Sequence, residues 1–183
     1  RFRAVSDGRV EITDLQAALG PDEAYYRMIL AKDRLFALFV TRDSAKAYPL
    51  DINADVLAGR VAKIRDSIAI TNSLGQTVTP EFEVGTARRL YLELFGPVAE
   101  QMAKLDHLIF EPDGAMLQLP VNLLVAEQAG VTAYFAQQKL PDADPYDLRG
   151  IAWMGRKQSV SVAVSTKGFI DIRRAANSRA ERA

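Results

Sequence analysis

The sequence predicts a mixed α/β fold bordering on α+β, in which a β-meander is followed by helices packed on a mixed sheet. Three observations carry that expectation. Residues 24–40, AYYRMILAKDRLFALFV, hold two runs of aromatic, β-branched and long apolar side chains around the charged break Ala31-Lys32-Asp33-Arg34. Leu57, Val61 and Ile64, and later Ala87, Leu90, Tyr91 and Leu94, recur at three- and four-residue spacings that put each set on one helix face. Residues 105–125, LDHLIFEPDGAMLQLPVNLLV, join a short apolar run to a forced turn and a leucine-rich segment holding a second proline.

The elements follow in order. Phe2, Ala4, Val10 and Ile12 alternate around Asp7-Gly8, a pair suited to a tight turn, so a short hairpin is expected. Thr13-Asp14-Leu15-Gln16 reads as a capping box opening a helix of one or two turns, which Gly20-Pro21 ends. Two antiparallel strands lie within 24–40, and a third over 45–52 follows the polar turn Thr41-Arg42-Asp43-Ser44. Asn53 then caps a helix with the stripe Leu57, Val61, Ile64 and Ile68, leaving Lys63, Arg65 and Asp66 in water. Residues 70–83, polar and holding Gly75 and Pro80, form the longest loop. The next helix breaks at Gly96-Pro97, where proline at a first helical position restarts it and Val98, Met102 and Leu105 continue the apolar face.

A strand over 107–110 is ended by Pro112 and turned at Gly114. Leu117, Leu119, Val121, Leu123 and Leu124 surround Pro120 in a buried turn leading into a short helix. Tyr134-Phe135 begins another strand, and residues 141–147, PDADPYD, form a surface loop. Residues 159–165, SVSVAVS, alternate hydroxyl and aliphatic side chains as a strand with one polar face does. Phe169 and Ile172 then mark a helix over 166–174, and no internal repeat interrupts this order.

At 183 residues the chain fits a single domain or domain fragment: a leader hairpin and helix over 1–18, a main region over 19–174, and a frayed tail over 175–183. Its 23 basic and 23 acidic side chains cancel, which offers no electrostatic footprint for nucleic acid. No stretch approaches the roughly 20 apolar residues of a membrane span, nor does the start carry a signal-like run, so a soluble protein is expected; the cytoplasm is favoured over the cell envelope, but the sequence does not fix the compartment. The start at Arg1 and the polar, alanine-rich end RRAANSRAERA read as a segment of a longer protein. The absence of cysteine excludes disulfides, thiolate metal sites and thiol catalysis in this chain.

The remaining motifs carry little chemistry. Neither a Walker pattern nor Gly-x-Gly-x-x-Gly is present, so nucleotide binding has no support. Asp142, Asp144 and Asp147 lack the turn glycine and distal glutamate of a calcium loop. Ser159, Ser161 and Ser165 sit in no nucleophile elbow and read as one strand face. His107, the one histidine, has no partner motif and reads as a strand-edge or packing residue, while turn chemistry accounts for Glu111-Pro112-Asp113-Gly114. Arg149, Arg156 and Lys157 read as a charged rim around Trp153, and Arg88-Arg89 and Arg173-Arg174 as helix surface. No catalytic, cofactor-binding or metal-ligating residue is assigned, and no cofactor is expected.

Three blocks together resemble the CHAT domain, the caspase-like region often found after tetratricopeptide repeats in bacterial proteins. They are residues 19–41, LGPDEAYYRMILAKDRLFALFVT; residues 87–125, with ARRLYLELFGPV, LIFEPDG and LQLPVNLLV; and residues 161–173, a strand ending in Ser165 and a helix with an arginine. The resemblance implies the N-terminal part of a caspase-like CHAT domain, with Leu94, Pro97, Pro112, Asp113, Gly114, Leu119, Pro120 and Leu124 as structural signature positions. In CHAT peptidases the catalytic histidine ends a strand in a His-Gly pair and the cysteine ends a later strand, both downstream of the region matched here. His107, before the Pro-Asp-Gly turn, does not take that role. A cysteine peptidase needs a thiolate beside an imidazole. The resemblance therefore implies a noncatalytic scaffold or pseudo-protease portion that positions a downstream catalytic half, with that half and upstream tetratricopeptide repeats as partners. The alternative is a stand-alone α/β module that binds a protein or a small ligand.

Overall fold

A computed structural model describes residues 10–180 of the chain. Helix α1 (Ile12–Ala17) opens them, but Glu11 holds the N-cap position without a side-chain bond and Thr13 lies inside the helix, so the expected capping box does not form. Ile12 is helical rather than extended. The rest of the expected leader hairpin, around Asp7-Gly8, lies outside the described residues. Gln16 instead donates from Nε2 to the Thr41 carbonyl, tying α1 to the sheet.

The meander forms as the sequence predicts. Strands β1 (Glu23–Ala31), β2 (Arg34–Thr41) and β3 (Ala45–Asn53) pair antiparallel in turn. Lys32 takes the left-handed backbone (φ 60°) that closes the two-residue turn between Ala31 and Arg34. Helix α2 (Ala54–Asp66) follows at once, and the Asn53 side chain accepts from the Val56 N–H at 2.9 Å, the predicted cap. Its buried stripe is Leu57, Val61 and Ile64; Ile68 is exposed because the helix ends at Asp66 and Ser67 turns inward. The long loop that follows contains a small hairpin of β4 (Ile70–Thr71) and β5 (Thr77–Val78).

Helix α3 (Val84–Phe95) buries Ala87, Leu90, Tyr91 and Leu94, then passes through a 3-10 turn with Pro97 in its first positions into α4 (Ala99–Met102). Strand β6 (His107–Glu111) runs parallel to β1, with Glu23 opposite His107 and Arg27 opposite Glu111. Two 3-10 turns, Gly114–Gln118 and Val121–Leu123, lead to α5 (Gln128–Gln137). Tyr134 and Phe135 thus lie in a helix and not in a strand: Val131 and Tyr134, three apart, are buried while Phe135 is half exposed. After the surface loop and α6 (Met154–Lys157), strand β7 (Ser159–Val162) pairs parallel with β6. The last helix, α7 (Thr166–Ala180), continues through much of the segment expected to fray.

The sheet order is β3-β2-β1-β6-β7. Period-two alternation sends Ala24, Tyr26, Met28, Phe39, Leu108 and Phe110 to one face, where α2, α3 and α5 cover them. Tyr25, Val40 and Ile109 face the other side, against Leu15 of α1 and Ile170 of α7. Tyr26 centres the larger core: its ring meets Phe95 edge-on at 4.7 Å between centroids and its hydroxyl donates to the Leu94 carbonyl at 2.5 Å. The result is three layers, α/β/α, with helices on both faces of a mixed sheet.

Candidate functional site

Parallel pairing brings three strands' polar side chains to the face that α7 crosses: Glu23 and Arg27 of β1, His107 and Glu111 of β6, and Ser161 of β7. They gather at the two ends of the strands. At the carboxyl end Glu111 is buried; its Oε2 accepts from the Tyr25 hydroxyl and from Thr166 Oγ1 at 2.8 Å, while Oε1 meets Arg27 Nε at 3.2 Å. Burial, and then the bond to Glu111, push the Tyr25 phenol far above its ordinary range. Thr166 is the first residue of α7, so this carboxylate pins the start of the helix to the sheet.

The amino end holds a second network. Glu23 Oε1 accepts from His107 Nδ1 at 2.9 Å and from Arg173 of α7 at 2.6 Å, and Oε2 accepts from the Gly20 N–H at 2.9 Å. Burial works against ionisation of Glu23, but the bonds from Gly20, His107 and Arg173 outweigh it and hold the carboxyl below its ordinary value. The other imidazole nitrogen, Nε2, lies 2.8 Å from Ser161 Oγ. The sole histidine therefore sits between a carboxylate and a hydroxyl, a partnership that nothing in the local sequence announces.

Strand β7 is the outer strand of the sheet, and no strand among the described residues pairs with its far edge. Ser159 N–H donates to the Asp106 carbonyl and Ala163 N–H to the Phe110 carbonyl, so the alternate amides of Val160 and Val162 point away from β6. The strand carries no charge and no proline, and Val164 beyond it is 97% exposed, with Val162 at 68% and Ile172 of α7 at 71%. A groove of about 310 Å³ runs beside it, lined by His107, Ser161, Ala163, Val164, Phe169 and Ile172. The opposite edge, β3, is protected in the usual manner, by Pro49 within the strand and by Lys46, whose ammonium donates to the Pro97 carbonyl at 2.7 Å. A larger groove, about 640 Å³, lies beside Pro49, Asp51, Leu92, Glu93, Val131 and Phe135.

The signature positions are spread through the scaffold and do not converge on either network. Leu94 and Leu124 are fully buried, Leu119 nearly so, and the Leu94 carbonyl takes both the Tyr26 and Tyr48 hydroxyls. Pro112 and Pro120 are turn residues, and Pro97 lies within the 3-10 turn after α3. Asp113 is the most engaged, accepting from the Gly114 N–H at 2.7 Å through Oδ1 and from the Leu30 N–H at 2.8 Å through Oδ2. Gly114 sits at φ +57°, a backbone that a side chain strains, which is why glycine stands there.

Other expected features resolve differently. Arg88 is more than helix surface: it donates to the Ala126 carbonyl at 2.6 Å and ties α3 to the segment before α5. Arg173 and Arg174 likewise join α7 to Glu23 and Asp14. The rim around Trp153 is dispersed, since Arg149 forks onto Asp147, Lys157 pairs with Glu127, and the indole packs edge-on against Phe82. The side-chain bond from Arg149 lowers the Asp147 carboxyl to about 2. No group of three or more His, Asp or Glu placed to hold a metal ion occurs among the described residues, and none of their helices is long and apolar enough to cross a membrane.

No curated protein and no solved structure matches the chain. The family model of the CHAT domain matches residues 84–183, a span that takes in the second and third of the resembling blocks and leaves out the first.

Proposed function

The chain belongs to the CHAT-domain family, and from that membership we propose that it is the noncatalytic scaffold portion of a caspase-like cysteine peptidase, positioning a catalytic half contributed by following polypeptide. Upstream tetratricopeptide repeats complete the proposed partnership. Cysteine is absent from the sequence, and the one imidazole is engaged with Glu23 and Ser161 rather than left beside a thiol position. Peptide hydrolysis by a thiolate is therefore assigned to other polypeptide.

One observation carries the reading: the unprotected edge of β7. Its outward amides and apolar side chains favour strand addition, whereas β3 carries the proline and lysine that discourage it. Amide exchange tests this. In the isolated chain the Val160 and Val162 amides exchange rapidly while those of Ser161 and Ala163 are protected; in a polypeptide that continues past Ala183 all four slow. Unchanged exchange of Val160 and Val162 in the longer polypeptide contradicts the docking role.

A second reading, a stand-alone ligand-binding module, is favoured by the 640 Å³ groove beside Glu93. There burial raises the Glu93 carboxyl against the pull of Arg60 and Arg89. A thermal-shift screen of the chain against small molecules separates it from the scaffold role: stabilisation abolished by Leu92→Arg supports the module.

A further inference from the structure

The network at the amino end of the parallel strands has a geometry that packing alone does not require. Ser161 Oγ stands 2.8 Å from His107 Nε2, and His107 Nδ1 stands 2.9 Å from Glu23 Oε1. Glu23 offers only acceptors, so the shared proton resides on Nδ1 and leaves the Nε2 lone pair facing the serine hydroxyl. Arg173 and the Gly20 amide fix the carboxylate in place. Ser161 is exposed, and both it and His107 line the 310 Å³ groove, whose other walls include Ala163, Val164, Phe169 and Ile172. That volume lies within the usual range for small-molecule sites. The amide that follows the serine, Val162 N–H, points away from β6 on the outer edge of the sheet, where no strand among the described residues pairs with it.

We infer that Ser161, His107 and Glu23 form an acyl-transfer relay that hydrolyses small esters carrying an apolar acyl group, which the groove between β7 and α7 receives. Ser161 Oγ attacks the ester carbonyl carbon as its proton passes to His107 Nε2, and the Val162 amide donates to the developing oxyanion. The carbon–oxygen bond to the alcohol breaks, and the imidazolium gives its proton to the departing alkoxide. Water then attacks the acyl-serine, His107 takes its proton and returns it to Ser161, and the carboxylic acid leaves. Ser161 and His107 are the catalytic residues, while Glu23 is a positioning residue that sets the tautomer and stabilises the imidazolium. This chemistry needs no thiol and is distinct from the peptide hydrolysis assigned to other polypeptide; it belongs to the chain with its β7 edge unpaired, since strand addition there engages the Val162 amide.

The test treats the complete 183-residue chain with a fluorophosphonate probe, maps the adduct by mass spectrometry, and follows hydrolysis of 4-nitrophenyl butyrate. The expected result is one adduct, on Ser161, with turnover that Ser161→Ala and His107→Gln each reduce about a hundredfold. Glu23→Gln lowers kcat with KM unchanged, and Ile172→Trp raises KM for the butyrate ester but not for the acetate. Ser161 is exposed, so its truncation leaves the fold intact, and that variant alone decides the matter if His107→Gln unfolds. An adduct absent from Ser161, or turnover that survives Ser161→Ala, overturns the proposal.

Discussion

Two carboxylates, Glu111 and Glu23, hydrogen-bond α7 to the sheet, and their removal has distinct consequences. Truncating Glu111→Ala strips the Tyr25 and Thr166 hydroxyls of their shared acceptor in a buried site and should cost about 2 kcal/mol, read as a lowered urea midpoint. Arg27 adds little to that loss because its own side chain is 44% exposed. Glu23 governs acid stability instead. Its carboxyl lies below the ordinary 4.5 in the folded chain, so it contributes stability that is present above that value and lost as pH falls through the folded one. Replacing Glu23→Gln should therefore flatten the decline of the unfolding midpoint below about pH 4.5, measured by denaturation across a pH series.

At the scale of elements, α7 matters most, because it closes the smaller core and forms one wall of the groove. Ile170 of this helix is buried in that core, and Ile170→Ala should cost about 3 kcal/mol in a denaturation experiment. Its charged contacts to Asp14 and Glu23 orient the helix more than they stabilise it. The elements that the sequence disclosed are those whose signals are local. The charged break at residues 31–34 marks the first hairpin, and Asn53 marks the start of α2. Helix α5 was misleading because the adjacent aromatics Tyr134 and Phe135 suit a strand, while the burial that decides the matter follows Val131 and Tyr134 at helical spacing. Thr13 misled in the same way: the chain turns into α1 two residues earlier, at Glu11, and leaves its hydroxyl no cap position.

Across the whole molecule, the parallel pairing of β1, β6 and β7 creates the polar networks, and sheet order was not legible in the sequence. Glu23 and His107 stand 84 residues apart and His107 and Ser161 54 apart, so each looked isolated along the chain. By contrast, membership of the CHAT family was legible in the residues around the Pro-Asp-Gly turn, whose role here is to hold β1, β6 and the following turns together. That family context and the missing cysteine motivate the central claim, that thiol peptidase chemistry belongs to other polypeptide which this scaffold positions. The most direct measurement is peptide hydrolysis, with and without iodoacetamide, by the purified 183-residue chain and by a polypeptide extending beyond Ala183. The account predicts no turnover by the shorter chain and iodoacetamide-sensitive turnover by the longer one; peptide cleavage by the shorter chain alone contradicts it.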